Sequence, residues 1–146
     1  MTIDELYNNS QKINLQQLRD EVLMSIDHVI IDTITEQQLQ LGVDAKGNSL
    51  PTYAPGNYSE YKNQKNPNSG GRYDLKDTGD FYSGLFQELT GDAIVIDSTD
   101  SKNDIIKDMM EGYDYLGLTS ENFDKIQIED AIPAFMTEFK NLMQID

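Results

Sequence analysis

The sequence predicts an α+β fold: a long N-terminal helix, a small antiparallel sheet reached through a long loop excursion, and C-terminal helices. Three patterns predict it. Apolar residues recur every three or four positions near both ends of the chain, which is the helical period. Two apolar runs between them flank a glycine-centred turn, the pattern of a hairpin. Glycine and proline crowd the stretch that separates the first helix from that hairpin.

Leu15, Leu18, Val22, Leu23, Ile26, Ile30 and Ile34 mark one face of a helix over residues 14–41, which Gly42 ends in the left-handed conformation. At 1.5 Å per residue that helix is about 40 Å long. Part of it is therefore expected to pack against something else. Residues 42–76 hold Gly42, Gly47, Gly56, Gly70, Gly71, Pro51, Pro55 and Pro67 and read as mostly loop. Residues 43–76 form an extended arm within a single domain, 1–146, because neither flank has enough apolar residues for a core of its own.

Residues 81–89 and 93–98 read as strands joined at Thr90-Gly91-Asp92. The Ala93-Ile94-Val95-Ile96 run lacks polar alternation and is expected to be the more buried of the two. Residues 101–110 read as a short helix with Ile105, Ile106, Met109 and Met110 as its stripe. Thr119 or Ser120 opens the last helix, with Glu121 and Asp124 in its first turn. Its stripe is Ile128, Ile132, Phe135, Met136, Phe139, Leu142 and Met143, and Pro133 inside it predicts a kink or restart near residues 129–132.

Composition narrows the function. Leu, Ile, Val and Phe make 36 of 146 residues, enough to fold but a lean core that leaves room for partners to stabilise. Asp and Glu number 26 against 11 Lys and Arg, a net charge of −15 at pH 7. That argues against a sequence-independent grip on nucleic acid and against a polybasic membrane contact, both of which need clustered cations. The absence of Cys excludes disulfides, thiolate catalysis and Cys-zinc sites. One histidine, His28, excludes a two-His metal site. No apolar run is long enough to span a membrane, and the polar, acidic N-terminus is unlike a signal peptide. A soluble protein of a reducing compartment is expected. The charge is uneven: residues 1–45 carry −6, residues 46–76 carry +3 and residues 77–146 carry −12.

Asp77-Thr78-Gly79 matches the triplet of aspartic proteases, in which two such aspartates share a proton. With one copy the chain could act only as a dimer. Lys76 stands where an apolar strand should run, Asp80 adds a charge directly after the triplet, and a long leading helix does not suit an all-β protease. The triplet reads instead as a structural turn that launches the strand at Phe81, with Asp77 hydrogen-bonded to its own backbone and Gly79 in a special dihedral. Asp97, Asp100 and Asp104 hint at a calcium loop. The EF-hand needs Gly at the sixth position and Glu at the twelfth, where Lys102 and Asp108 stand, so a strand exit and an acidic helix start fit better. His28 lies off the apolar stripe, with Asp32 four residues on as a pairing candidate. No catalytic residue, cofactor site or metal ligand is assigned.

Tyr53, Tyr58, Tyr61 and Tyr73 crowd the basic excursion together with Lys46, Lys62, Lys65, Arg72 and Lys76. Tyrosine beside cations can stack on single-stranded nucleic acid. With −15 overall, a protein interface is the better reading, since Tyr and Arg are enriched there. The candidate subunit contacts are Tyr53, Tyr58, Tyr61, Lys62, Lys65, Arg72, Tyr73 and Lys76.

Three segments, in order, carry a resemblance: Leu50 to Pro55 with Tyr58 and Lys62; Asp77, Thr78 and Gly79 with Phe81; and Leu116 to Thr119. The chain resembles the tailed-phage virion morphogenesis and tail-completion proteins of the head–tail neck. In that family a W/Y-x-P-L-S-P…K stretch precedes a D-T-G-x-L turn, and an F-L-G-L-S/T segment precedes the last helix. The histidine-bearing strand before that third segment has no counterpart in the short, acidic residues 108–114. The resemblance implies a non-enzymatic structural subunit without a cofactor, made in the host cytoplasm and built into the virion. It implies a homo-oligomeric ring, six- or twelve-fold, between portal and tail proteins, with DNA passing through the lumen. The positive excursion would meet the acidic flanks of the next copy, giving register. Acidic residues facing the lumen would repel DNA phosphates within about 8 Å. A rival from another class is an acidic DNA mimic or small inhibitor that occupies the nucleic-acid site of a host protein, against which the positive residues 46–76 count.

Overall fold

The first helix is set by its cap. In the computed structural model, which describes residues 1–145, α1 (Ile3–Gln11) begins at Thr2. The Thr2 hydroxyl accepts from the Glu5 N–H at 3.1 Å while the Glu5 carboxylate accepts from the Thr2 N–H at 2.6 Å, a capping box. The helix buries none of its residues, so apolar spacing gave no sign of it.

The single long helix expected over residues 14–41 is instead a relay of shorter pieces. α2 (Leu15–Ser25), capped by the Asn14 side chain, breaks at Ile26, where φ is −109° and ψ 14°. α3 (Asp27–Asp32) follows, widens into a π-helical turn over Thr33–Gln38 and tightens to a 3₁₀ turn over Leu39–Leu41. Side-chain hydroxyls supply a reason. Ser25 donates to Val22 O at 2.6 Å, Thr33 to Val29 O at 2.7 Å and Thr35 to Asp32 O at 3.1 Å, competing with the backbone ladder. Most of the expected stripe survives the breaks: Leu18, Val22, Ile26, Ile30 and Ile34 are all 7% exposed or less, whereas Leu23 is half-buried and Leu15 is exposed. Gly42 ends the relay at φ +68°.

Residues 43–76 are mostly irregular, as expected, but not wholly so. They contain α4 (Asn57–Lys65) and a 3₁₀ turn, Pro67–Ser69, and isolated bridges pair Val43 with Ser49 and Thr52 with Arg72. The segment folds back on itself and sends Leu50 into the core.

One helical turn, α5 (Asp80–Ser83), takes the first part of the expected strand. β1 (Leu85–Thr90) and β2 (Ala93–Ser98) then pair antiparallel in register from Thr90 opposite Ala93 to Leu85 opposite Ser98. Gly91 takes φ +58° at the first position of the two-residue loop, as a type II′ turn requires. The expectation that β2 is the more buried strand fails, because Ile94 and Val95 are 38% and 42% exposed. Among the described residues the sheet has two strands, and the outer edge of β2 has no neighbouring strand.

α6 (Asn103–Met109) turns half of its stripe outward, with Ile105 and Met109 exposed and Met110, just beyond it, buried. Thr119 caps α7 (Ser120–Ile126) by accepting from the Asn122 N–H. A π-helical turn, Gln127–Ala131, leads to α8 (Ile132–Met143) with Pro133 in its first turn, the expected restart. Gln38, fully buried, joins the two helical ends: its Nε2 donates to Gly117 O at 2.7 Å, and its Oε1 accepts from the Thr119 N–H at 2.9 Å and from Asn122 Nδ2 at 3.0 Å. The core is the helix stripe closed by Leu39, Leu50, Phe81, Leu85, Met110, Tyr115 and Ile126. The class is α+β.

Candidate docking surface

Residues 43–76 bury two carboxylates: Asp44, which accepts from the Lys46 and Asn48 N–H groups at 2.9 and 2.8 Å, and Asp74, around which the rest of the segment closes. Asp74 Oδ1 takes Lys62 Nζ at 2.8 Å and the Lys76 N–H at 3.0 Å, while Oδ2 accepts from Asn66 Nδ2 at 3.0 Å. Lys62 Nζ also donates to Lys76 O, and the Tyr82 hydroxyl donates to Asp74 O. A charge leaves water at tolerable cost only when it is paired and hydrogen-bonded, as here. Burial first, and then the Asp74 charge, push the Tyr53 and Tyr82 phenols well above their ordinary range. Next to Asp74 the backbone of Leu75 sits at φ +57°, a left-handed conformation that costs a side-chain-bearing residue about 1–2 kcal/mol. The Asp74 bonds on one side and the Leu75 side chain against the core on the other hold it there.

Two further side chains tie the segment to the end of the helix relay. Arg72 Nη2 donates to Leu41 O at 2.9 Å and Asn66 Nδ2 to Gln40 O at 2.7 Å, filling carbonyls that a helix terminus leaves open. Gly42 is needed for space as well as for dihedral freedom, since a Cβ there would lie 2.6 Å from Arg72 Cβ.

These bonds divide the eight candidate contact residues. Lys62 is 5% exposed and its charge is engaged inside the chain, which corrects its assignment to a subunit contact. Arg72 is half-buried and one of its guanidinium nitrogens is engaged within the chain by Leu41 O. Tyr53 and Tyr73 are half-buried against each other, with ring centroids 4.6 Å apart. Tyr58, Tyr61, Lys65 and Lys76 remain outward. The Tyr58 and Tyr61 rings stack at 6.3 Å, and Lys65 Nζ lies 5.7 Å from the Tyr61 centroid, a cation–π contact.

The Asp77-Thr78-Gly79 turn keeps its expected glycine, at φ +94°, but not its expected hydrogen bond. Thr78 Oγ1 accepts from the Asp80 N–H at 3.4 Å, whereas Asp77 pairs with Lys102 Nζ at 3.1 Å and thereby raises the lysine's pKa. Asp97 accepts from Asn103 Nδ2 at 2.8 Å, the Ser98 N–H at 2.9 Å and Lys107 at 3.3 Å, and the Asn103 bond above all holds its carboxyl below the usual range. His28 is exposed, and the carboxylate beside its Nδ1, at 4.0 Å, is Asp27 and not Asp32. Among the described residues no group of three or more carboxylates and imidazoles is arranged to hold a metal, and no helix is long and apolar enough to cross a membrane.

A second surface lies on the terminal helices. The C-terminal helix carries its expected apolar stripe, yet α8 buries none of its residues. Ile128 is 68% exposed, with Phe123, Ile132, Met136 and Leu142 between 46% and 51%. Comparison with known proteins finds no matching family model, no matching curated protein and no matching solved structure. The functional reading therefore rests on these surfaces and their chemistry. Residues 120–143 carry Glu121, Asp124, Glu129, Asp130 and Glu138 against Lys125 and Lys140, a net negative charge. α1 is tied alongside by Asn9 Nδ2, which donates to Met143 O at 3.1 Å, and adds exposed Ile3 and Tyr7.

Proposed function

We propose that the chain is a structural subunit of a tailed-phage particle, without enzymatic activity. It forms a ring at the head–tail neck or tail-completion position and joins portal or connector to tail. The observation that carries this reading is the apolar face of α8, where Ile132, Met136 and Leu142 stay in solvent on a helix that buries none of its residues. Contiguous exposed apolar surface of this kind marks an interaction site. A complementary face exists on the same chain, where stacked Tyr58 and Tyr61 carry Lys65. An apolar, acidic face meeting an aromatic, basic one on the next copy is a head-to-tail contact, which generates a ring when the rotation closes. The three-part resemblance supplies the setting, with its first segment at the Leu50 core anchor, its second at the Gly79 turn and its third leading into the α7 cap.

The test is to locate the protein in purified particles by electron microscopy with a C-terminal label. Density at the head–tail junction is expected. Particles free of the label, with a pull-down that recovers a host nucleic-acid-binding protein alone, would replace this reading with the acidic mimic.

A further inference from the structure

We propose that the free edge of β2 is a docking slot for an extended, basic-ended segment of a different protein, which adds there as a third strand. In a two-residue antiparallel hairpin, residue pairs alternate from the turn between those that hydrogen-bond each other and those that do not. With Thr90 opposite Ala93, it is Ile94, Ile96 and Ser98 that turn their N–H and C=O groups away from β1. The Ser98 N–H is taken by Asp97 Oδ1 at 2.9 Å. The backbone groups of Ile94 and Ile96 have no backbone partner outside the hairpin among the described residues. Free edges are normally blunted by lysine, proline or a bulge. Ala93–Ser98 has neither residue and pairs without a bulge.

Beyond this edge the core is open. A groove of about 740 Å³ is lined by Ile30, Ile34, Ile96, Leu116, Leu118 and Phe123. It adjoins a cavity of about 290 Å³ that shares Ile30, Ile94, Leu118 and Phe123 and reaches Ile26 and Ile126. A strand laid along β2 would send every second side chain into this space, which gives apolar alternation as the first requirement of the occupant. The second comes from charge: Asp114 and Asp124 line the groove beside Asp92, whose own charge is already paired with Arg19. The hairpin is held ready to receive it. Arg19 donates to Asp92 Oδ1 at 3.1 Å and to Gly91 O at 3.0 Å, and Gln87 Nε2 donates to Leu23 O at 3.2 Å, so little ordering is left to binding. This chain's own basic stretch is wrapped around Asp74 and offers no such strand, so the occupant belongs to another protein. The slot stands whether or not the chain builds a ring.

The probe is a synthetic octapeptide alternating threonine and valine with lysine at each end, titrated into the full chain and followed by amide NMR shifts. Expected are saturable shifts at Ile94, Ile96 and residues 114–124, and binding at least tenfold weaker for the same peptide with glutamate ends. Ile96→Pro removes one outward N–H while the hairpin's own bonds remain, and should abolish binding. Asp114→Lys combined with Asp124→Lys, both at exposed sites, should reverse the preference between the two peptides while the rest of the spectrum stays in place. No binding of the lysine peptide at millimolar concentration overturns the proposal. So does equal binding of both peptides that the charge reversal leaves unmoved.

Discussion

Lys62→Met tests whether Asp74 organises residues 43–76. The substitution keeps the aliphatic stem of a side chain that is 5% exposed and removes the one cation within bonding reach of a carboxylate that is 1% exposed. Removing one partner of a buried ion pair typically costs about 3–5 kcal/mol, because the remaining charge is left uncompensated. Asn66 Nδ2 and the Lys76 N–H still bond the Asp74 carboxylate, which places the loss near the lower end, about 3 kcal/mol. For a chain of 146 residues each kcal/mol moves the melting midpoint by about 3 °C, so a drop of about 9 °C is expected. Adding Asp74→Asn removes the stranded charge and should return about 1–3 kcal/mol of the loss, the range for residues in direct contact. Urea unfolding of the four proteins of this cycle, followed by far-UV circular dichroism at pH 7, measures both quantities. A Lys62→Met protein within about 1 kcal/mol of the parent, or a double variant whose losses simply add, would refute the role given to the pair.

Gly79→Val should cost about 1–3 kcal/mol by thermal melt, all of it backbone strain, since φ is +94° and a Cβ meets nothing within 4 Å. Asp97 has a folded pKa below its ordinary 3.8, so it stabilises the fold above that pH and the contribution fades as pH falls through the folded value. Asp97→Asn should therefore lower the urea midpoint at pH 7, with the difference from the parent shrinking in strong acid. Tyr53 and Tyr82 have phenol pKa values raised above the ordinary 10, so their contribution is complete below pH 10 and lost as pH climbs through the folded values. Absorbance at 295 nm should show their ionisation delayed until unfolding, and Tyr82→Phe should shrink that late step. Lys65→Glu with Lys76→Glu, both exposed, should weaken assembly while the melting midpoint holds; an unchanged oligomer mass would count against charge complementarity.

Periodic burial was legible in the sequence and local chemistry far less so. The stripe from Leu18 to Ile34, the Gly91 hairpin, the Thr119 cap and the Pro133 restart all follow from spacing and from residues with narrow dihedral preferences. The breaks within residues 14–41 were hidden because hydroxyls of Ser25, Thr33 and Thr35 redirect the backbone without altering the apolar period. α1 and α4 escaped for a different reason: one depends on a capping box and the other on a lysine turned inward, and neither presents an apolar face to the core. The burial of β2 was misjudged because a continuous apolar run implies two covered faces, and a two-stranded sheet has only one to offer. At the candidate surface the tyrosines and lysines were found together, but the sequence does not distinguish outward Lys65 from buried Lys62. Asp74, twelve residues past Lys62, is the missing signal, and only folding brings it within 2.8 Å.

On the proposed reading, the apolar face of α8 is covered by another copy of the chain. Mass measurement of the purified chain by analytical ultracentrifugation across a micromolar range tests it most directly. The expected result is a closed multiple of the 16.6 kDa chain that reverts to single chains in Ile132→Asp with Met136→Asp, both at exposed positions whose loss leaves the melt intact. A parent protein that sediments as a single chain at every concentration would contradict it.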